Sequence, residues 1–199
     1  MERRNRSRLV GRPPGFLMRR TDRALGDVAR QAFERARRAV ASRPPRWRSY
    51  LESLSVAAIF GHSEAITALG AWYAEGLRAR GKVILRRNPA VAAALFATAA
   101  ASGDPLAMIH LAGCYERGIG VTRSSKNERL WYLRAARLGH PVAAYNLAVI
   151  SRLAGGQRGY LRWLRRAADL GDADAVAELA SSRGGSTGTR VARATRSRQ

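Results

Sequence analysis

The sequence predicts an all-α fold, a right-handed α-solenoid of helix-turn-helix repeats with basic, partly disordered termini, and three observations predict it. Four glycines, Gly61, Gly103, Gly139 and Gly171, share one phase. Four residues after each stand Ala65, Ala107, Ala143 and Ala175, and eight after stand Leu69, Leu111, Leu147 and Leu179. Four and three residues before each lie Ala57-Ala58, Ala99-Ala100, Ala135-Ala136 and Ala167-Ala168. A pattern locked to one residue in this way means one supersecondary unit copied along the chain.

Each copy reads as two helices joined at the glycine. The alanine pair sits in the last turn of the first helix, small enough to let a neighbour approach to about 8–10 Å between axes. The glycine stops that helix by taking a left-handed conformation. Asp104-Pro105 then supplies an N-cap with proline at the first helical position, Asp172 supplies the same cap, and His140-Pro141 is a weaker version. From there Ala107, Leu111 and Tyr115, like Ala65, Leu69 and Tyr73, recur every four residues as the buried stripe of a short amphipathic helix.

Taken in order, residues 1–20 read as a disordered basic segment, with seven arginines among Gly11, Pro13, Pro14 and Gly15. Residues 21–46 read as an amphipathic helix and a proline-rich link. Leu25, Val28, Ala29, Ala32, Phe33, Ala36 and Val40 follow the helical period from Asp22 to about Ala41, and Pro44-Pro45 ends it. Three roles are open for this helix: partner of the next helix, Trp47 to Phe60; a helix lying on an anionic membrane surface; or an arginine-rich presequence. Residues 47–180 form the repeats, closing on a half unit from about Asp172 to Ala180 whose apolar edge the tail or a partner must cover. The Arg-rich tail 181–199 lacks apolar periodicity and reads as disordered.

The unit from Gly103 is the most complete. Gly118, Gly120 and Val121 form the loop between its helices, Ser124 or Ser125 caps the second, and Ser125 with Glu128 fits a capping box. Trp131, Tyr132, Ala135 and Ala136 make that helix's buried face. On Leu111, Tyr115, Gly118, Gly120, Val121, Trp131, Tyr132, Ala135, Ala136, Gly139 and His140, the chain resembles the Sel1-like repeat family, a relative of the tetratricopeptide repeat. Ser124, Asn127 and Glu128 depart from the family pattern, where Asp, Lys and Ala are usual. The unit at Gly61 keeps Leu69, Gly70, Tyr73 and Gly76 but spans 42 residues against 36 for the next, and the unit at Gly139 spans 32, with Ser151 at the tyrosine position and Gly155-Gly156 in a shortened loop. The resemblance implies a curved helical scaffold with a role in protein interaction.

The net charge is +22, and residues 1–48 hold 15 arginines against 4 acids, so much of the excess lies outside the repeats. Only Lys82 and Lys126 are lysines. This bias fits guanidinium contacts to phosphate or carboxylate, and it equally fits GC-rich coding. The one cysteine, Cys114, excludes a disulfide within the chain and reads as a small buried residue. The longest largely apolar stretch, Ala90 to Ala101, is too short to span a bilayer. A reducing compartment is expected, the cytoplasm or, in a eukaryote, the mitochondrial matrix.

No cofactor and no metal site is expected. His62 and His140 fall at one turn position of two units, no HExxH, Walker loop or nucleophile elbow occurs, and Asp172, Asp174 and Glu178 suit a helix N-terminus. In helix-pair solenoids the first helices line the concave face. Seven residues after each glycine stand Ala68, His110, Asn146 and Glu178, and fourteen after stand Glu75 and Arg117; His110, Arg117 and Asn146 are the groove candidates. Arg158, Arg162, Arg165 and Arg166 form a basic patch near Tyr160 and Trp163, the latter in the phase of Trp131. The expected function is a non-enzymatic scaffold or adaptor that docks protein partners. The alternative is a nucleic-acid-associated protein gripping phosphate backbone, or an acidic protein, through its Arg-rich termini.

Overall fold

The structure, a computed structural model, describes residues 14–182. The expected disordered segment up to residue 13, and the tail from residue 183, lie outside the described residues. Contacts divide the chain into two compact units that meet between Ala65 and Ile66.

The first unit is a helix hairpin. Helix α1 runs Pro14–Ala41, so it starts ahead of Asp22, the expected beginning, and takes up the end of the segment expected to be disordered. Proline suits such a start, because its missing N–H falls where an α-helix leaves donors unpaired. Helix α2 spans Trp47–Ile59 and packs on α1, which makes α1 the partner of α2, the first of its three open roles. The contact is made by alanine: Ala29, Ala32, Ala36 and Ala39 are buried, while Leu25, Val28 and Val40 of the expected stripe stay exposed. Small side chains let the two backbones approach, and the longer ones are left on the flanks.

The second unit holds the repeats. Helix α3 (Ser63–Glu75) is followed by a β-hairpin of β1 (Leu77–Ala79) and β2 (Lys82–Leu85), then by α4 (Pro89–Ala101), α5 (Pro105–Arg117), α6 (Ser125–Arg137), α7 (Pro141–Leu153) and α8 (Gln157–Asp169). A further helix, α9, occupies residues 173–182. From α2 to α8 every helix has 13 residues. Neighbours pack in sequence order, α4 on α5, α5 on α6, α6 on α7 and α7 on α8. That is the expected solenoid of helix pairs.

The glycine phase is a hydrogen-bonded device. Gly61, Gly103, Gly139 and Gly171 have φ of 81°, 93°, 85° and 90°. At each, the residue after the glycine donates its N–H to the first alanine carbonyl of the pair, and the glycine N–H goes to the second: His62 to Ala57 and Gly61 to Ala58, and likewise around Gly103, Gly139 and Gly171, at 2.9–3.1 Å. This is a Schellman motif, with the alanines at the two positions whose carbonyls would otherwise lack donors. The same alanines fill the core. Ala57, Ala65, Ala99, Ala107, Ala135, Ala143, Ala167 and Ala175 are all 0% exposed, with Leu111 and Leu147 at 1%. Leu179 is only half-buried, because no helix of a completed unit covers it among the described residues.

Caps follow the sequence with two corrections. Asp104 accepts from Leu106 N at 2.9 Å and Ala107 N at 3.4 Å, and Asp172 accepts from Ala175 N at 2.9 Å. His140 holds the N-cap position of α7 but makes no side-chain cap bond; its Nδ1 is buried without a hydrogen-bond partner. Ser124 caps α6 through Asn127 N at 3.3 Å, which puts Ser125 inside the helix and removes the Ser125–Glu128 capping box. Gly120 is fixed by space as well as by φ (74°): a Cβ there would stand 2.0 Å from the Pro89 carbonyl oxygen.

The hairpin is the one element the helical expectation lacked. Arg80 (φ 49°) and Gly81 (φ 77°) make a tight two-residue turn of left-handed conformation, the kind that matches strand twist. Leu77 is buried, and Arg87 Nε donates to Ala74 O at 2.8 Å to tie the hairpin's exit to the end of α3. The helices of the three successive units are equal in length, and the links after α4, α6 and α8 have three residues each. The difference between units of 42, 36 and 32 residues therefore lies wholly in the link inside each unit.

Candidate functional site

Phase-locking places chemistry in rows. Ala68, His110, Asn146 and Glu178 lie seven residues after their glycines, and all four are half-buried. Two direct bonds tie α3 to α5 and α7 to α9, two of the three steps along this row. Thr67 of α3 donates to Asp104 Oδ2 at the start of α5, at 2.6 Å, and Tyr145 of α7 donates to Glu178 Oε2 of α9 at 3.3 Å. About two turns further along, Glu75 and Arg117 are exposed, and the structure adds Leu153, 80% exposed at the same phase in α7. An apolar residue there carries no motif, so the sequence pattern passed over it.

Of the groove candidates, His110 is the most constrained. Its ring stacks on Phe96 with centroids 4.7 Å apart and planes 18° from parallel. Phe96 in turn lies against Gly70, where a Cβ would stand 2.7 Å from the ring. Desolvation holds the His110 pKa below 6.5; Asp104 and Glu75 pull the other way, and Arg117 adds to the lowering. At neutral pH it is therefore an uncharged donor and acceptor. Arg117 folds back, donating from Nε to Gly113 O at 3.2 Å, and leaves its charge at the surface. Asn146 stands half-buried on α7. The rows bring His110 and Arg117 together on α5, with Asn146 on a separate helix.

Behind this face the core is closed. Cys114 is buried, and its thiol pKa is raised, mainly by desolvation. The Tyr132 hydroxyl is pushed up to about 12 by burial, with Glu116 and Glu128 adding to it. Trp131, expected on the buried face with Tyr132, is only half-buried and carries Arg134 over its ring at 4.6 Å. Trp163 has the same phase and the same fate, with Arg162 at 5.7 Å. Tyr73 and Tyr115 are likewise half-buried. These four rings keep one edge at the surface, whereas Tyr132 and Phe96 are buried.

The basic patch assembles on α8. Arg158, Arg162, Arg165 and Arg166, with Leu161 and Asp169, line a shallow depression of about 560 Å³. Glu178 of α9 gathers three donors that were not foreseen together: Arg152 at 2.7 Å, Tyr160 at 2.8 Å and Tyr145. This cluster pins α9 to α7 and α8. No group of three metal-ligating side chains comes together among the described residues, and none of their helices is long and apolar enough to cross a membrane.

Comparison with known proteins agrees with this geometry. The Sel1 repeat model matches residues 63–104, 105–140 and 161–172, and the first two stretches run from the start of α3 and of α5 to the cap of the next unit. The chain is similar to the solved structure of c5321, a protective antigen of uropathogenic Escherichia coli displaying an SLR fold, with 28% identity and a TM-score of 0.59 over 77% of this chain and 32% of that one. It is also similar to a Sel1 repeat protein from Oxalobacter formigenes, with 30% identity and a TM-score of 0.55 over 64% of this chain and 36% of that one. The match thus spans about a third of the length of each relative. No curated protein matches the sequence. In repeat sequence, helix pairing and fold, the chain belongs to the Sel1-like repeat family.

Proposed function

We propose that the protein is a non-enzymatic interaction scaffold, or adaptor, that docks protein partners on the face bearing Ala68, His110, Asn146 and Glu178. The observation that carries this reading is a constant frame with a changing row. The first alanine of each pair and the alanine four residues after each glycine are buried in every unit, while the half-buried position seven residues after each glycine changes from methyl to imidazole to amide to carboxylate. A frame of this kind spends its identical residues on packing and leaves the row free to specify a partner. His110 and Asn146 offer neutral hydrogen bonding, and Arg117 and Leu153 add a charge and an apolar contact at the next level. Membership of a family that commonly mediates protein–protein interaction supports the same reading. A reducing compartment such as the cytoplasm suits the buried thiol of Cys114. Nothing among the described residues favours the nucleic-acid alternative.

Capture on the full chain from nuclease-treated native lysate tests the reading. Specific proteins are expected to be retained, and the variant His110→Ala/Asn146→Ala, checked for folding by circular dichroism, is expected to lose them. Retention that vanishes with nuclease, or is indifferent to both substitutions, would overturn it.

A further inference from the structure

We propose that the outer face of α8 is a docking strip for an acidic helix of a protein partner. The proposal rests on the scaffold reading and adds the chemistry of one partner to it. Arg158, Arg162, Arg165 and Arg166 stand at i, i+4, i+7 and i+8, so their side chains leave one face of the helix, over about 12 Å of axis at 1.5 Å per residue. The opposite side is fixed, since Leu164 and Ala167 are 0% exposed, and the arginines cannot be turned away from solvent. All four are exposed, and none of them is in an ion pair among the described residues. Asp169 lines the same depression without closing a bridge to them, and half-buried Leu161 gives it an apolar side.

Four unneutralised guanidiniums this close repel one another, and a ligand that supplies carboxylates relieves that repulsion. Acidic side chains three and four apart on a partner helix recur at about 5–6 Å, the spacing of the arginines themselves, and the guanidinium fork takes a carboxylate through two parallel hydrogen bonds. Leu161 would meet an apolar flank of the same helix. A nucleic-acid strand fits less well. Asp169 places a negative charge inside the strip, the Tyr160 hydroxyl is tied to Glu178, and Trp163 is half-buried under Arg162, so the strip offers no free ring on which a base could stack.

The test is fluorescence anisotropy of a labelled synthetic helix carrying Glu at i, i+4, i+7 and i+8 beside one Leu, titrated with the full chain at about 0.1 M salt, where long-range attraction is screened. Replacing all four arginines with Gln is expected to weaken binding about tenfold. The same charge change in the tail, Arg190→Gln/Arg193→Gln/Arg196→Gln/Arg198→Gln, is expected to leave it within about twofold. Equal losses from the two variants would show that net charge alone attracts the peptide and would overturn the strip. So would a single-stranded oligonucleotide of equal charge that binds more tightly than the peptide and depends on the α8 arginines. If the fourfold variant loses helix content by circular dichroism, Arg162→Gln/Arg166→Gln carries the same test, with about a threefold loss expected. Failure here while the lysate proteins are still retained would remove the strip and leave the scaffold; loss of retention altogether would remove the scaffold.

Discussion

The hydroxyl of Thr67, in the middle of α3, donates to Oδ2 of Asp104 at 2.6 Å, while Oδ1 of the same carboxylate caps α5. One side chain thus starts a helix and fastens it to the previous unit. Thr67 is the only buried polar residue among those described, 3% exposed. Thr67→Val keeps the shape and removes the bond, which should cost about 1–2 kcal/mol. Asp104→Ala removes the cap as well and should cost about 1 kcal/mol more. Urea unfolding of both variants and the double variant should show that the losses are not additive, the double costing less than their sum. Full additivity would mean that Thr67 and Asp104 act independently.

Gly120 and Gly61 are both left-handed, and only one of them is crowded. Gly61→Ala meets open space and should cost only the backbone term, about 1 kcal/mol. Gly120→Ala drives a methyl into the Pro89 carbonyl at the start of α4, so the loss should reach about 3 kcal/mol or more. Equal shifts in the urea midpoint would show that the link of α5 to α6 does not press on α4.

Glu178 is held by three donors, and α9 has no later helix packed on it among the described residues. Glu178→Ala should release α9 before anything else: amide exchange over residues 173–182 should accelerate about tenfold or more, for the loss of charge-assisted bonds of roughly 1.5–3 kcal/mol. Exchange in α5 and α6 should be unchanged. Glu178→Gln, which keeps acceptor and shape, should fall between. A uniform change across the chain would contradict a local clasp.

The lowered pKa of His110 fixes a sign. Its folded value lies below 6.5 because desolvation opposes the imidazolium, so the unfolded chain binds the proton more tightly. Stability is therefore complete above the unfolded pKa and is lost as pH falls through 6.5 toward the folded value. The melting temperature of the wild type should drop over that window more than that of His110→Gln. A steeper drop in the variant would reverse the assignment.

Local chemistry made most of the fold legible. Helix stops, caps and the alanine seam each depend on residues within about five positions of one another, and the four glycines exposed them by repetition. The α8 patch was legible for the same reason, since its residues share a single helix. The hairpin was hidden inside a repeat that had merely lost a loop glycine, although Gly81 followed by Val83-Ile84-Leu85 is a turn and strand signal. The Glu178 cluster was beyond reach in principle. Its donors lie 18, 26 and 33 residues away, and only the folding of α7, α8 and α9 brings them together. Trp131 and Trp163 had the phase of a core residue but stand at its edge, each with an arginine over its ring.

The equal helices joined by unequal internal links have one more consequence. Adding a single residue within a helix would swing everything after it by about 100° and tear the alanine seam, whereas adding several between α7 and α8, where Gly155 meets open space, changes nothing in that register. The chain therefore has designated expansion joints. The hairpin between α3 and α4 shows one already in use, and a foreign loop grafted between α7 and α8 should leave the helices in step.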